Sequence, residues 1–431
     1  MGSVIVIGAG ISGLSAAYAL QQKGHKVLVL ESSQKAGGLI QTLYKDDFRL
    51  ELGPNSILAS AELVQWLEGL GLMTEAEEAS PVSKDRFIYR NGQVRALPSN
   101  PLDLLKNDFF SFKTKLLLAR EPFRKAENIP NETISEFFLR RFNQEVLDYA
   151  VRPFVGGIYA GNPDKLLLKY NFPALVEMEQ KHGSIIKGLA KTSALARRRS
   201  FNFKNGMAAL PQALAKQLDI RFDSPVLAIS GERGAWRVHT QEQIWETQKI
   251  VLASPAKAVA SFLPPELAVL TAELSRVPYA AMHVVHTAFK KSAFKALPSG
   301  FGVLHPACEK QFSSGNIWTS SVFPHSAPSE LVLFTSFVGG MQQPERTLLS
   351  AEAIKQGVSS ELEQHYQPRE APLWQNHVFW PEAIPQYTSQ MQELEIAVQK
   401  IQEAGLLICT NWYGGSSLFD CITKGIELAK K

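Results

Sequence analysis

The stretch "VIVIGAGISGLSAAYALQQKGHKVLVLE", residues 4–31, decides the fold of this 431-residue chain. Its β-branched run from Val4 to Ile7 is typical of a buried parallel strand. A glycine-rich turn follows, then Ser15 to Gln22 carries Ala and Leu at helical spacing, and Lys26 to Leu30 forms a second apolar run that ends at Glu31. Strand, turn, helix, strand and terminal acid in this order predict a βαβ unit that binds a dinucleotide.

The turn has the spacing Gly8-x-Gly10-x-x-Gly13, and each glycine has a physical reason. Gly8 allows a tight turn, Gly10 lets the backbone approach a pyrophosphate, and Gly13 lets helix and strand pack closely. The phosphates would meet the positive N-terminus of the helix. Glu31 would accept hydrogen bonds from ribose hydroxyls, which disfavours NADP and leaves NAD and FAD open. The competing interpretation is a glycine-rich turn without a ligand.

Two more glycine turns follow within a few tens of residues. The stretch "ESSQKAGGLIQTL" contains the pair Gly37-Gly38, and "LELGPNS" contains Gly53. Three turns that approach one ligand describe an extended molecule, which suits FAD better than NAD. Either added turn, taken alone, could be a simple connector.

These stretches together resemble the flavin-containing amine oxidase and protoporphyrinogen oxidase superfamily. "YAVRPFVGGIYAGNPDKL" (149–166), "FNFKNGMAALPQAL" (201–214), "AIPQY" (383–387) and the C-terminal "LLICTNWYGGSSLFDCI" are similar to the porphyrinogen oxidases within it. The chain departs from the family pattern at Thr388 to Met391, at Asp420 and at Lys35. The resemblance implies an α/β fold. A Rossmann-like FAD-binding domain of the amine oxidase and PHBH-like type would be joined to a mixed antiparallel-sheet substrate domain and a helical membrane-binding domain.

The resemblance and the shifts in composition divide the chain into three expected domains. Residues 1–84, 203–260 and 385–431 would form the FAD-binding domain. Residues 85–95 and 261–384 would form the substrate-binding domain, and residues 96–202 the helical domain that covers the substrate and binds a membrane.

The cofactor is expected to be FAD, held along the three glycine turns and by later segments. Val226 matches a strand residue whose backbone faces adenine in the family, and a helix that begins near Ser416 would bring positive potential to the flavin. The full set of expected cofactor residues is Gly8, Gly10, Ile11, Ser12, Gly13, Glu31, Ser32, Lys35, Gly37, Gly38, Leu39, Gly53, Pro54, Asn55, Ser56, Val226, Trp380, Ser416, Ser417 and Leu418.

The resemblance implies oxidation of protoporphyrinogen IX to protoporphyrin IX by dioxygen, as part of heme biosynthesis. Arg86 matches the family arginine that faces a substrate propionate, and a guanidinium suits bidentate carboxylate recognition. No nucleophile triad or carboxylate pair stands out, so no catalytic residue is assigned. Coproporphyrinogen III is the alternative substrate. Less favoured are another flavin amine oxidase or desaturase and a non-catalytic flavin-binding adaptor.

The segment Asn107 to Lys125 mixes phenylalanines and leucines with lysines and arginines, so it could lie in a membrane interface. An ordinary surface helix is the competing interpretation. A membrane surface is therefore an expected partner. Candidate protein partners are heme-pathway neighbours such as ferrochelatase and a second copy of the chain.

Composition narrows the remaining choices. The net charge is only +4, and no nucleic-acid partner is expected. Three cysteines without a CxxC pattern favour a reducing compartment. No apolar run is long enough for a membrane span, so we expect a cytoplasmic protein peripherally attached to the cytoplasmic membrane. His283 and His286 lack metal-ligand spacing, and no metal is expected.

Overall fold

The computed structural model describes residues 2–98, 100–191 and 198–430. In chain order the strands are β1 (Ser3–Ile7), β2 (Lys26–Leu30), β3 (Thr42–Lys45), β4 (Phe48–Glu51), β5 (Ile57–Ala59), β6 (Ala76–Glu78), β7 (Phe87–Arg90), β8 (Gln93–Ala96), β9 (Arg199–Phe203), β10 (Asp219–Arg221), β11 (Ala228–Glu232), β12 (Ala235–His239), β13 (Ile244–Thr247), β14 (Lys249–Leu252), β15 (Tyr279–Lys290), β16 (Gly302–Leu304), β17 (Gly315–Ile317), β18 (Leu331–Gly339), β19 (Trp374–Pro385) and β20 (Leu406–Ile408).

The helices are α1 (Ile11–Gln22), α2 (Ala61–Gly69), α3 (Pro101–Lys106), α4 (Phe112–Arg120), α5 (Ile134–Arg141), α6 (Gln144–Val146), α7 (Arg152–Tyr159), α8 (Leu168–Asn171), α9 (Pro173–His182), α10 (Ile185–Lys191), α11 (Ala209–Ala215), α12 (Ala256–Phe262), α13 (Thr271–Ser275), α14 (Thr319–Val322), α15 (Ala351–Tyr366), α16 (Met391–Glu403) and α17 (Leu418–Leu428). Within the described ranges, none of them is long and apolar enough to cross a bilayer.

A five-stranded parallel sheet in the order β10-β2-β1-β14-β20 forms the centre of the nucleotide-binding part. The apolar run of β1 is buried on both faces of the sheet, because successive side chains along a strand point to opposite faces. Val4 and Val6 pack on one side with α1, and Ile5 and Ile7 pack on the other with residues of α12 and α16. The predicted βαβ unit is thus confirmed, although α1 begins at Ile11, earlier than the expected Ser15.

A seven-stranded mixed sheet in the order β19-β15-β18-β17-β16-β7-β8 forms the second large layer. The sequence predicted an antiparallel sheet, and all pairs are antiparallel except β16 with β7, which run parallel. Through the pairing of β7 with β16, the strands β7 and β8 become part of a sheet whose other strands come about two hundred residues later in the chain. The fold is mixed α/β, with a Rossmann-like part and a mixed-sheet part.

Helices α3 to α10 form a separate layer with its own core, and this core changes one interpretation of the sequence. Phe109 and Phe110 belong to the predicted interfacial segment, but they are only 2% and 7% exposed and pack with Ile134 and Phe137. Both rings anchor the helical layer internally. The exposed apolar side chains of this segment are therefore other residues, such as Phe112 and Phe123.

Candidate active site

Three loops meet at one edge of the parallel sheet. Parallel strands place their carboxyl ends at the same edge, where ligands of such folds bind. The loops after β1, β2 and β20 all leave from this edge. Contact between the first and last of them is direct, because the Cys409 thiol donates to the Ser12 carbonyl at 3.4 Å.

The protein's own backbone requires glycine at two of the three positions in the first loop, for different reasons. Gly8 has φ +110°, which L side chains rarely adopt. A Cβ on Gly13 would lie 2.0 Å from the Gly8 carbonyl oxygen, so only glycine allows this approach of helix and strand. Gly10 differs, since a Cβ there would meet nothing within 4 Å. Space for a ligand therefore lies directly above Gly10.

Glu31 ties the first two loops together. One carboxylate oxygen accepts from the Ala9 amide at 2.6 Å, and the other accepts from the amide and hydroxyl of Ser33 at 2.9 and 2.8 Å. The carboxylate is thus held beside the glycine turn at the end of β2. A negative charge in this place repels a phosphorylated ribose and leaves lone pairs for ribose hydroxyls.

The second and third glycine turns lie against the first. Gly37 forms a parallel bridge with Gly10, and a Cβ on Gly38 would lie 3.6 Å from the Gly10 Cα. A Cβ on Gly53 would lie 2.0 Å from the Leu39 carbonyl oxygen. Trp380 on β19 donates its indole N–H to the Leu52 carbonyl at 2.6 Å, so the mixed sheet holds the third turn in place.

The C-terminal loop is fixed from outside by Tyr387. Its hydroxyl donates to the Asn411 carbonyl at 2.6 Å and accepts from the Gly415 amide at 3.0 Å. Burial strongly raises the pKa of Tyr387, which therefore stays protonated as both bonds require. Helix α17 begins at Leu418, two residues later than expected, because Ser417 forms the N-cap in a capping box with Asp420.

The residues present fit an extended dinucleotide. Space above Gly10 is open, and two buried polar atoms at these loops, Asn55 Oδ1 and Thr410 Oγ1, have no hydrogen-bond partner among the described residues. Such atoms are normally satisfied, so a bound ligand is a good explanation. Val226 was expected in a strand but lies between β10 and β11, where Pro225 and the positive φ of Asp223 interrupt the ladder.

The other residues that the sequence assigned to the cofactor lie on these same loops. They are Ile11 and Ser12 in the first turn of α1, Ser32 and Lys35 after β2, Leu39 beside Gly53, Pro54 and Ser56 on either side of Asn55, and Ser416, Ser417 and Leu418 at the start of α17. Lys35 donates to the Gln41 side chain at 3.0 Å.

Arg86 lies apart from the glycine loops, immediately before β7 on the mixed sheet. Its guanidinium carbon lies 4.2 Å from the centre of the Phe301 ring. The residue is solvent-accessible, yet surrounding protein desolvates the guanidinium and lowers its pKa. It forms no ion pair within the described ranges. The cation is therefore available to an anionic group on a ligand.

The two close histidines make ordinary protein contacts. His286 donates its Nε2–H to the Glu51 carbonyl at 3.0 Å, and His283 is hydrogen-bonded to His377 at 2.8 Å. Burial lowers the pKa of His286 to about 4, so the ring is neutral. Both residues support the sheet.

Sequence reasoning missed two residues that shape the site, Tyr387 and Lys424. Tyr387 was quoted within "AIPQY" but given no role. Lys424 donates to carbonyls of the C-terminal loop. Its signal was available, because it lies three residues after the buried Cys421 and so falls on the inner face of an amphipathic helix.

Known proteins agree with this geometry. A family model described as "Flavin containing amine oxidoreductase" matches residues 11–431. Protoporphyrinogen oxidase 2 of Arabidopsis thaliana is 33% identical over 99% of this chain and 92% of its own length. The protoporphyrinogen oxidase of Homo sapiens is 30% identical over 99% of this chain and 97% of its own length.

A solved structure of a protein from Exiguobacterium sp. 255-15 has the same fold. It superposes with a TM-score of 0.83 at 21% identity, covering 99% of this chain and 98% of the other. The mixed sheet and the parallel sheet are thus parts of one established architecture. The glycine loops and the match of the family model over residues 11–431 lead to one conclusion. This chain belongs to the flavin containing amine oxidoreductase family and is an oxidoreductase that uses FAD.

Proposed function

We propose that this enzyme oxidises protoporphyrinogen IX to protoporphyrin IX with dioxygen, in heme biosynthesis. The observation that carries the proposal is the 33% identity to a protoporphyrinogen oxidase over nearly the full length of both chains. Helix α7 lies in the stretch 149–166 that is similar to the porphyrinogen oxidases. It packs closely on the mixed sheet, since a Cβ on Gly157 would lie 2.6 Å from Leu304 Cδ2.

The protein's own groups would bind and orient the ring. FAD, when bound, supplies a two-electron acceptor that dioxygen reoxidises, giving hydrogen peroxide. Arg86 would hold one propionate and so fix the position of the macrocycle. Three two-electron rounds complete the conversion, with tautomerisation of the ring presenting a new carbon each time. No side chain is assigned as a general base.

Coproporphyrinogen III is the alternative substrate, because it differs mainly in carrying four carboxylates where protoporphyrinogen carries two. Steady-state turnover with both compounds distinguishes the two candidate substrates, and we expect the higher kcat/KM with protoporphyrinogen. Anaerobic addition of the porphyrinogen should bleach the yellow protein. An unbleached flavin would indicate an adaptor, and bleaching by an amine or carotenoid alone would indicate another oxidase or a desaturase.

We propose that three parts of the chain have different functions. Residues 1–84, 203–260 and 385–431 bind FAD through the loops described above, residues 85–95 and 261–384 bind the substrate, and residues 96–202 cover it. Three structural features support this assignment: the parallel sheet for the FAD-binding part, the mixed sheet for the substrate-binding part, and the helical layer for the covering part.

We also propose that the helical layer rests on a membrane through an apolar surface, here named the interfacial patch. Phe112 is 83% exposed and Phe123 85% exposed. The carboxylate of Glu121 accepts from the amides of Ile185 and Ile186 at 3.0 and 3.3 Å, which holds α10 beside Phe123. The patch comprises Phe112, Leu116, Phe123, Ile186 and Leu189, all of which are exposed.

Cations surround the interfacial patch, as anionic lipid would require. Lys113 and Arg120 are exposed on α4, and Lys187 lies 5.8 Å from the centre of the Phe123 ring. The proposed location is the cytoplasmic face of the cytoplasmic membrane. A ferrochelatase and a second copy of the chain are the proposed protein partners, and cross-linking on vesicles would test both.

A further inference from the structure

The side chain of Lys424 is bound entirely to one loop. Its Nζ donates to the carbonyls of Tyr413 at 2.5 Å and Gly415 at 2.7 Å, and it also contacts the Thr410 carbonyl. Three acceptors around one nitrogen require three N–H donors. A neutral amine has two and an ammonium has three, so Lys424 carries a positive charge here.

No carboxylate pairs with this charge among the residues that the structure describes. Asp420, on the first turn of the same helix, accepts at its Oδ2 from the amide and hydroxyl of Ser417 at 3.2 and 2.6 Å. Desolvation lowers the pKa of Lys424, while Cys421, Cys409 and Asp420 act in the opposite direction. The ammonium is therefore a partly buried cation whose partners, among the described residues, are backbone carbonyls.

The position of this cation matters because of the loop that it binds. Residues 409–417 connect β20 to α17 at the sheet edge where the glycine loops meet. The N-terminus of α17 already carries partial positive charge. Lys424, on the second turn of the same helix, folds back to add a full charge to that loop. Tyr387 fixes the loop from the other side, at Asn411 and Gly415.

We propose that Lys424 is a positioning residue that holds the loop against the flavin and raises the flavin's reduction potential. The proposal rests on the proposed cofactor site. Uptake of two electrons and one proton leaves the flavin with one negative charge. A cation in a weakly solvated loop stabilises that charge more than the neutral oxidised form, which favours reduction.

The experiment compares holoenzymes that carry Lys424→Met, Lys424→Arg and, as a control, Lys430→Met, which removes a lysine just beyond α17. Reduction potentials are measured with reference dyes, without substrate. Lys424→Met should favour the oxidised flavin about tenfold, a fall of about 30 mV for a two-electron couple. Lys424→Arg should retain most of the wild-type potential, and Lys430→Met all of it.

An unchanged potential in a flavin-loaded Lys424→Met protein would overturn the electrostatic role, and so would an equal fall in the Arg variant. Should the Met variant fail to fold, Lys424→Gln keeps two N–H donors without the charge and serves the same comparison. Failure of the proposed activity is distinguishable. If the wild type does not oxidise porphyrinogen but Lys424→Met still has a lower reduction potential than the wild type, only the substrate assignment is contradicted.

Discussion

At the scale of single residues, Arg86 offers a sharp test of the substrate assignment. A charge-assisted hydrogen bond contributes roughly 1.5–3 kcal/mol. We therefore expect Arg86→Ala to lower kcat/KM for protoporphyrinogen by about one to two powers of ten. Arg86→Lys keeps the charge but loses the planar fork, and it should fall between. Flavin content should stay constant, since Arg86 lies on a different sheet from the glycine loops.

The control for Arg86 is the exposed Arg276, whose replacement by Ala should leave kcat/KM unchanged. The defect should also shrink with an esterified porphyrinogen, because the ester offers no anion. Wild-type kinetics for Arg86→Ala would mean that Arg86 is an ordinary surface arginine, and loss of FAD from the variant would indicate a structural role.

At the scale of elements, the crossing of α1 and α17 depends on one glycine. A Cβ on Gly425 would lie 2.6 Å from the Ala16 amide nitrogen and 2.8 Å from the Ser15 Cβ. Backbone cannot yield as a flexible side chain can, so Gly425→Ala should push the helices apart at a cost of about 1–3 kcal/mol. Thermal unfolding of the holoenzyme should report a lower midpoint, together with faster release of flavin.

The matched control is Gly69→Ala at the end of α2, where a Cβ would meet nothing within 4 Å. Alanine is the better helix former, so this variant should keep or slightly raise the midpoint. Equal midpoints for Gly425→Ala and the wild type would show that the helices can separate without loss.

At the scale of the whole molecule, the interfacial patch predicts how the enzyme meets lipid. Each cation near an anionic surface contributes about 1 kcal/mol. Replacing Lys113 and Arg120 by Gln should therefore weaken binding to anionic vesicles by about 2 kcal/mol, roughly 30-fold, and reduce its salt dependence. Replacing Phe112 and Phe123 by Ser should weaken binding to neutral vesicles as well. Co-sedimentation at several salt concentrations measures both effects.

A protein with Lys23→Gln and Lys216→Gln loses the same charge from the nucleotide-binding part and should bind vesicles like the wild type. If the wild type ignores anionic vesicles at low salt, the patch is not a membrane surface. The sequence indicated a group of cations in residues 107–125, and their contact with a membrane stays a prediction. The structure shows, however, that Lys115 and Arg124 donate to the carbonyls of Asn107 and Arg140, so they are less free than Lys113.

What the sequence could predict depends on how local each signal is. The turn around Gly8, Gly10 and Gly13 was predictable because the strand, turn, helix, second strand and acid that define the unit all lie within residues 4–31. The phenylalanines of the helical segment were not, since Phe109 and Phe112 have the same side chain and differ only in what packs against them. Tyr387 contacts its loop from 24 residues earlier in the chain, and Lys424 contacts it by folding back along its own helix. Sequence spacing alone does not reveal either contact.

The order of strands in the parallel sheet has a consequence for protein synthesis. Strand β1 lies near the start of the chain, while β20 and α17, which complete the same sheet edge, come after residue 405. On the ribosome the glycine turns emerge long before the loop that closes the site against them. We therefore expect flavin capture to wait until β20 and α17 have been translated. Nascent chains halted before residue 406 should be colourless, and the early strands need protection from aggregation until then.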